Sequence, residues 1–211
     1  MYDISSCRNG GNMKIKKYGK TSAVLLVFVV LGLAYYFYLS NKTPRTDSTD
    51  KAVTDTEMAA LTTRDIENNY PESPRGVVEL YARITKAYYK KGATDEQLEA
   101  LGKQARLLFD NELKSKQTEE EFIKDLKVDV AVFNSMGKYV SDFQIDSASN
   151  FEYKTIDNKD YSIGMTLYYV RQGSKLSKSY QSYKLRKDEQ GRWKILYWEL
   201  VNSDLEKKLQ K

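Results

Sequence analysis

The chain has 211 residues and a formal net charge of +5, and residues 1–40 supply four of these charges through five basic side chains and one acidic side chain. From residue 41 onward, 29 basic residues are balanced by 28 acidic ones, so the charge gives no support for nucleic-acid binding. Histidine is absent and Cys7 is the only cysteine, which excludes histidine acid–base or metal chemistry and any intramolecular disulfide.

Residues 21–40 form an uncharged, mainly apolar run. About 20 residues of helix span about 30 Å, which is the thickness of a bilayer core. Four lysines between Lys14 and Lys20 precede the run, so the positive-inside rule places residues 1–20 in the cytoplasm as a basic tail. We therefore expect a single-pass protein of the cell membrane, whose C-terminal part is extracytoplasmic.

Two alternatives remain for this N-terminal region. Gly32 and Ala34 have the spacing of a signal-peptidase site, and cleavage there would release the domain as a secreted protein. The bulky aromatic residues 35–38 that follow suit an anchor better than a mature N-terminus. Met13 is also a candidate start codon, in which case Cys7 would not belong to the protein.

Residues 41–68 are rich in Thr, Asp, Ser and Lys, which is typical of a solvated linker. A half-helix over residues 56–68 is the one regular element expected there. The folded domain is predicted for residues 69–205, and residues 206–211 form a C-terminal tail. No internal repeat is visible.

Three amphipathic helices are predicted at the start of the domain. The first begins after Ser73 as N-cap and ends before Gly92. The other two begin at capping boxes, in which a threonine precedes a glutamine or glutamate by three residues: Thr94 with Gln97, and Thr118 with Glu121. The second helix keeps its apolar face as far as Leu113, and the third ends before Gly137.

After Gly137 the apolar period changes from 3.6 to about two, which indicates strands. They are predicted at 139–146, 150–157, 160–171, 177–188 and 192–201. The connections are short, such as Asn158 with Lys159 and the segment 172–176 around Gly173. Short connections favour an antiparallel meander.

The last hairpin has a three-residue loop that ends at Gly191, which is typical of a type I turn with a bulge. The resulting register predicts three cross-strand pairs: Leu185 with Ile195, Tyr183 with Tyr197, and Arg186 with Lys194. The last pair brings two like charges together on one face, where they would repel.

The segment 188–195 reads Asp-Glu-Gln-Gly-Arg-Trp-Lys-Ile. With the preceding helices and strands, it makes residues 73–201 resemble the nuclear transport factor 2-like, or cystatin-like α+β, superfamily. That resemblance implies three helices packed on a curved antiparallel sheet of four to five strands, in the shape of a cone. With its anchor and the segment 69–75, the whole chain is also similar to a family of membrane-anchored proteins from Gram-positive anaerobic bacteria.

Enzymes of this superfamily place Asp, Tyr or His side chains inside the cone. This chain has no histidine, and no carboxylate matches a catalytic position, so neither a catalytic residue nor a cofactor is assigned. Four aromatic residues are candidates to line a ligand pocket: Tyr81, Tyr88, Tyr168 and Trp198. Tyr169, Tyr183 and Tyr197 are further candidates. The alternative is that these rings simply fill the space between sheet and helices.

Eight basic residues and two acidic ones lie between residues 171 and 194, whereas residues 95–129 hold ten acidic and six basic ones. Four cations form a candidate patch for an anionic partner: Lys184, Arg186, Arg192 and Lys194. The alternative is a solvated face that protects a strand edge from aggregation. Asp125 and Asp129 share a helical face, but no third metal ligand accompanies them, so we expect a solvated face and no metal.

These observations favour a non-catalytic binding or assembly module that contacts a protein, a second copy of itself or an anionic envelope polymer. A small-ligand carrier or enzyme that uses the cone interior is the alternative. A third possibility, by analogy of architecture, is a subunit of a secretion or conjugation complex in the cell envelope.

Overall fold

Five α-helices are followed by five strands in residues 52–201, the part of the chain that this computed structural model describes. The helices are α1 (Asp55–Thr62), α2 (Pro74–Tyr88), α3 (Asp95–Leu107), α4 (Asn111–Lys114) and α5 (Glu119–Ser135). The strands are β1 (Lys138–Ile145), β2 (Glu152–Ile156), β3 (Lys159–Gln172), β4 (Lys175–Lys187) and β5 (Trp193–Leu200). A 3-10 turn, Ala148–Asn150, joins β1 to β2. The predicted α+β class is confirmed.

The predicted tail 1–20, the membrane helix 21–40 and the tail 206–211 lie outside the described residues. Between residues 52 and 201, no helix combines the length and the apolar character that crossing a bilayer requires. The half-helix predicted within the linker 41–68 is present as α1, although it ends at Thr62 and the described part of the segment is not a solvated linker. There, α1 buries Met58 and Leu61, and Ile66 after it is equally buried, so these residues belong to the folded core.

The predicted helix starts are confirmed because their capping contacts are local. Ser73 is the N-cap of α2, which begins at the next residue, Pro74. Its hydroxyl accepts a hydrogen bond from the Gly76 N–H at 3.0 Å. Both hydrogen bonds of the capping box form at Thr94 before α3 and at Thr118 before α5. Each box satisfies two backbone N–H groups that a helix N-terminus would otherwise leave unpaired.

The second predicted helix ends six residues earlier than expected. After Leu107 the chain runs alongside β5, where the Asp110 N–H donates to the Ile195 carbonyl and the Ile195 N–H donates to the Leu108 carbonyl, both at 2.8 Å. Asp110 then caps the short helix α4 by accepting from the Glu112 N–H at 2.8 Å. The segment 108–110 therefore pairs with the edge of β5, although its apolar period alone predicts a helix.

The five strands form one curved antiparallel sheet with the order β1–β3–β4–β5, and β2 also pairs with β3. Strand β3 pairs with β1 through residues 166–172 and with β2 through residues 159–163, so β1 and β2 lie end to end along one edge. The β2–β3 turn consists of Asp157 and Asn158, both with positive φ, one residue earlier than predicted. The short antiparallel connections are confirmed.

The predicted register of the last hairpin is correct near the turn and wrong beyond it. Leu185 pairs with Ile195 and Arg186 with Lys194, as predicted. A bulge at Leu196 then adds one residue to β5, so Tyr183 faces Trp198 instead of Tyr197. The bulge buries Leu196 and moves Tyr197, which is 40% exposed, to the other face of the sheet.

The helices pack on one face of the sheet, which we call the inner face. Helix α2 contacts β1, β3 and β5, while α3 packs against α1, α2 and α5. The inner side chains of the sheet, such as Tyr168, Tyr183 and Ile195, join the buried clusters. The side chains of β3 and β4 on the opposite, outer face belong to neither cluster of the described residues.

Candidate functional site

Three of the four predicted pocket residues meet in one aromatic cluster under α2. The ring centroids of Tyr81 and Trp198 are 5.4 Å apart. Tyr168 joins through Tyr183, because their hydroxyl oxygens lie 2.8 Å apart in a hydrogen bond. Tyr88 stands apart from this group, and its hydroxyl donates to the Leu101 carbonyl at 3.2 Å.

We call Tyr81, Tyr168, Tyr183 and Trp198 the tyrosine cluster, and their rings pack together in the core. Tyr81 makes edge contacts with Phe109 at 5.6 Å and with Tyr183 at 5.8 Å. Burial raises the pKa of Tyr168 to about 12, and it also raises the pKa values of Tyr81 and Tyr183. At neutral pH these phenols are therefore uncharged, which suits them to hydrogen bonding and not to proton abstraction. Of the further candidates, Tyr183 joins the cluster, whereas Tyr169 and Tyr197 lie on the outer face.

The predicted basic patch is largely engaged within the domain. Arg186 holds Asp110 through two hydrogen bonds, of 2.5 and 3.1 Å, and Glu112 lies 3.3 Å away as a second ion-pair partner. Arg192 pairs with Asp188 at 3.0 Å. The like-charge pair that the hairpin register predicts is thus relieved by carboxylates from other parts of the chain.

The two lysines of the patch differ sharply in their surroundings. The Lys194 ammonium is buried, donates to the Leu107 carbonyl at 2.7 Å and lies 4.1 Å from the centre of the Tyr70 ring. Burial, with the nearby Arg192 charge, lowers the pKa of Lys194 to about 8. Lys184 instead lies on the outer face, 5.0 Å from the centre of the Tyr161 ring.

An open groove lies between β2 and the start of α2, and sequence reasoning missed it. Its volume is about 470 Å³, and Trp193 forms part of its lining beneath the exposed ring of Tyr153. The two rings meet edge to face, with centroids 5.9 Å apart and planes at 70°. Ser73 and Pro74, which lie 120 and 119 residues before Trp193 in the chain, line it as well. No local pattern signals such a site, because it depends on contacts between distant segments.

Metal-binding chemistry finds no support in residues 52–201, which contain no group of three or more candidate ligands. The two aspartates considered above have other partners. Asp125 accepts a hydrogen bond from the Gln117 amide at 2.8 Å, and Asp129 accepts one from the Tyr89 hydroxyl. Burial raises the pKa of Asp129.

Comparison with protein families gives a match over most of the chain. The family model described as Domain of unknown function (DUF6715) matches residues 12–198, which include both the apolar run 21–40 and nearly all of the described domain. No curated protein and no solved structure matches the chain. The match covers far more than half of the chain, and the chain therefore belongs to the DUF6715 family.

Proposed function

We propose that this chain is a membrane-anchored, extracytoplasmic binding or assembly module, with the cone-shaped fold of the nuclear transport factor 2-like superfamily and no catalytic activity. The anchor is supported by the uncharged run 21–40 and by a family match that begins before it, at residue 12. The cone is supported by helices that precede a curved sheet and pack on one face of it.

The observation that supports a binding role is a row of partly exposed apolar side chains on the outer face of the sheet. Alternate residues of β3 place Ile163, Met165 and Leu167 in a row along this face. Tyr161 and Tyr197 flank the row near its β2 end, with Lys184 over both rings. A monomeric domain gains little from a partly exposed apolar row of this kind, which is typical of an interaction surface.

The charges on this face indicate the kind of partner. Lys178 and Lys184 project from β4 and have no ion-pair partner among the described residues, so the apolar row has a cationic flank. A protein surface with apolar and acidic side chains would cover the row and neutralise the lysines. A hydrated polymer would leave the row wet, and a second copy would bring like charges close together. We therefore assign an acidic protein surface as the occupant.

A small-ligand carrier that uses the cone interior is the second candidate, and one observation favours it. The hydroxyl oxygens of Ser162 and Thr166 on the inner face are buried and have no hydrogen-bond partner among the described residues. A bound polar molecule would supply the missing partners.

The outer face can be tested by photo-crosslinking in living cells. We expect a photoreactive residue at Met165 to form a product with one other protein, and we expect Lys184→Glu to reduce it because the charge complementarity is lost. Mass spectrometry identifies the partner, and the purified pair should reproduce the product. The matched control is a photoreactive residue at Val128, which is 58% exposed on α5.

Three outcomes would contradict this assignment. One is a product that contains only two copies of the chain. Another is a product with envelope polymer alone, and the third is equal crosslinking from Met165 and Val128.

The proposed topology can be tested with Cys7, the only cysteine in the chain. We expect a membrane-impermeant maleimide to leave Cys7 unlabelled in intact cells and to label it after permeabilisation, because the positive-inside rule places it in the cytoplasm. In a Cys7→Ser background, Ser174→Cys in the exposed β3–β4 turn should be labelled in intact cells. Labelling of Cys7 in intact cells, or a mature N-terminus after Ala34, would refute the topology.

A further inference from the structure

The groove beside β2 has the size of a small-ligand site and a nearly neutral lining. Its volume of about 470 Å³ lies within the range of about 300–1,000 Å³ that small-molecule sites occupy. Two acidic residues, Glu72 and Asp160, and two basic residues, Lys154 and Lys187, are among those that line it. Because these charges balance, an ionic ligand would meet about as much repulsion as attraction.

Three polar side chains of the groove contact one another. Asp160 accepts a hydrogen bond from the Thr155 hydroxyl at 2.8 Å and pairs with Lys187 at 3.1 Å. The Lys187 ammonium lies 5.0 Å from the centre of the Trp193 ring. A neutral ligand with several hydroxyl groups could hydrogen-bond to this carboxylate, ammonium and hydroxyl. An apolar ligand would displace the water bound to these groups without replacing the hydrogen bonds of that water.

The aromatic ring of Tyr153 lines the groove together with these polar groups. Tyr153 is 58% exposed, and its ring packs edge to face against Trp193 without any ligand. Preorganisation of this kind lowers the entropic cost of binding. A flat apolar ring beside hydrogen-bonding groups is complementary to a pyranose, which has an apolar C–H face and a rim of hydroxyls.

We infer that this groove binds a neutral saccharide, with Tyr153 stacked on the sugar ring and the Asp160–Lys187 pair hydrogen-bonded to its hydroxyls. The groove is formed by β2, the start of α2 and Trp193, and the one residue it shares with the surroundings of the row on the outer face is Tyr161. The inference rests on the proposed function in one respect only: an extracytoplasmic domain would meet the glycans of the cell envelope.

The test uses the full chain in a detergent without a sugar headgroup, titrated with tetramers of β-1,4-linked N-acetylglucosamine and of β-1,4-linked glucose. The readout is the fluorescence of the two tryptophans, of which Trp193 lies in the groove and Trp198 in the tyrosine cluster. We expect a saturable change with at least one tetramer. Raising the salt from about 0.05 to about 0.5 M should leave the affinity unchanged, because a neutral ligand is not screened.

Matched variants locate the site. Tyr153→Ala should weaken binding about tenfold or more, since loss of a stacked ring removes on the order of 1.4 kcal/mol. Asp160→Asn should weaken it as well, whereas Tyr197→Ala, an exposed tyrosine on the outer face, should not. Circular dichroism checks that each variant is folded.

The inference would be overturned if neither tetramer changed the fluorescence up to its solubility limit, or if Tyr197→Ala and Tyr153→Ala had equal effects. Binding that disappears at high salt, or that inorganic phosphate displaces, would instead identify an anion site. Neither of these results would affect the crosslinking and labelling tests, which use other residues. Failure of those tests would likewise leave the saccharide titration intact.

Discussion

Gly164→Ala is expected to lower the free energy of unfolding by about 3 kcal/mol, although it adds a single carbon. A Cβ atom at Gly164 would lie between 2.2 and 2.5 Å from three atoms of the Phe151 ring. Phe151 is 4% exposed and packed into the main core, so its ring has no free space to enter. Urea denaturation of the full chain, followed by tryptophan fluorescence, measures the effect.

Two comparisons separate this clash from a general sensitivity of β3. Ser162→Ala, on the same face of the strand, should change the stability by less than about 0.5 kcal/mol, because its buried hydroxyl has no described partner to lose. Phe151→Ala should cost about 3–5 kcal/mol by itself. Adding Gly164→Ala to it should cost little more, since the clashing ring is gone. Additive effects of the two substitutions would refute the explanation.

The same contact connects stability to the proposed saccharide site. Phe151 immediately precedes β2, and β2 pairs only with β3 among the described strands. Displacement of the Phe151 ring would therefore shift the strand that carries Tyr153. We expect Gly164→Ala to weaken saccharide binding even where most molecules remain folded.

The helix starts and the central part of the fold could be predicted from the sequence because their determinants are local. Ser73, Thr94 and Thr118 each hydrogen-bond a backbone N–H three residues later, so a short motif contains the whole interaction. The same holds for the turn before Gly191, whose positive φ a glycine adopts without strain.

The features that the sequence did not reveal all depend on distant partners. Leu108 and Asp110 leave the helical pattern because the edge of β5, more than 80 residues later, offers hydrogen bonds. The bulge at Leu196 changes which of two neighbouring aromatic residues faces the core, and no local pattern distinguishes Tyr197 from Trp198. Hydrophobic period alone cannot decide between such alternatives.

The candidate site shows the same limit. Large apolar rings tend to be buried, and four of the seven candidate aromatic residues meet in the tyrosine cluster, whereas Tyr88, Tyr169 and Tyr197 do not. Composition cannot show that Arg186 and Arg192 form ion pairs with carboxylates of the same domain. It also cannot show that a groove forms between Trp193 and the start of α2. Charge counts therefore overstate how much of the basic segment is free to bind a partner.

Asp110→Ala is expected to lower the free energy of unfolding by about 3 kcal/mol, because it leaves a largely buried cation with only the exposed Glu112 as counter-ion. The side chain of Asp110 is 7% exposed and that of Arg186 is 17% exposed. The hydrogen bonds from Arg186 join β4 to the segment between α3 and α4, across 76 positions in the chain. The Asp110 carboxylate raises the pKa of the Arg186 guanidinium. Without it the arginine still cannot escape the cost by losing its proton, because a guanidinium stays charged in proteins.

The two roles of Asp110 can be separated by the choice of substitution. Asp110→Asn would keep the cap on α4, since asparagine caps a helix as well as aspartate does, and it should therefore be less damaging than Asp110→Ala by about 1 kcal/mol. Glu112→Gln removes the exposed second partner of Arg186 and should cost less than about 1 kcal/mol. Arg186→Met combined with Asp110→Leu should recover most of the loss, because an apolar pair leaves no buried charge unpaired. If the double variant were instead as unstable as Arg186→Met and Asp110→Leu added together, the ion pair would not be the cause, and the cap on α4, which leucine cannot supply, would have to account for the loss.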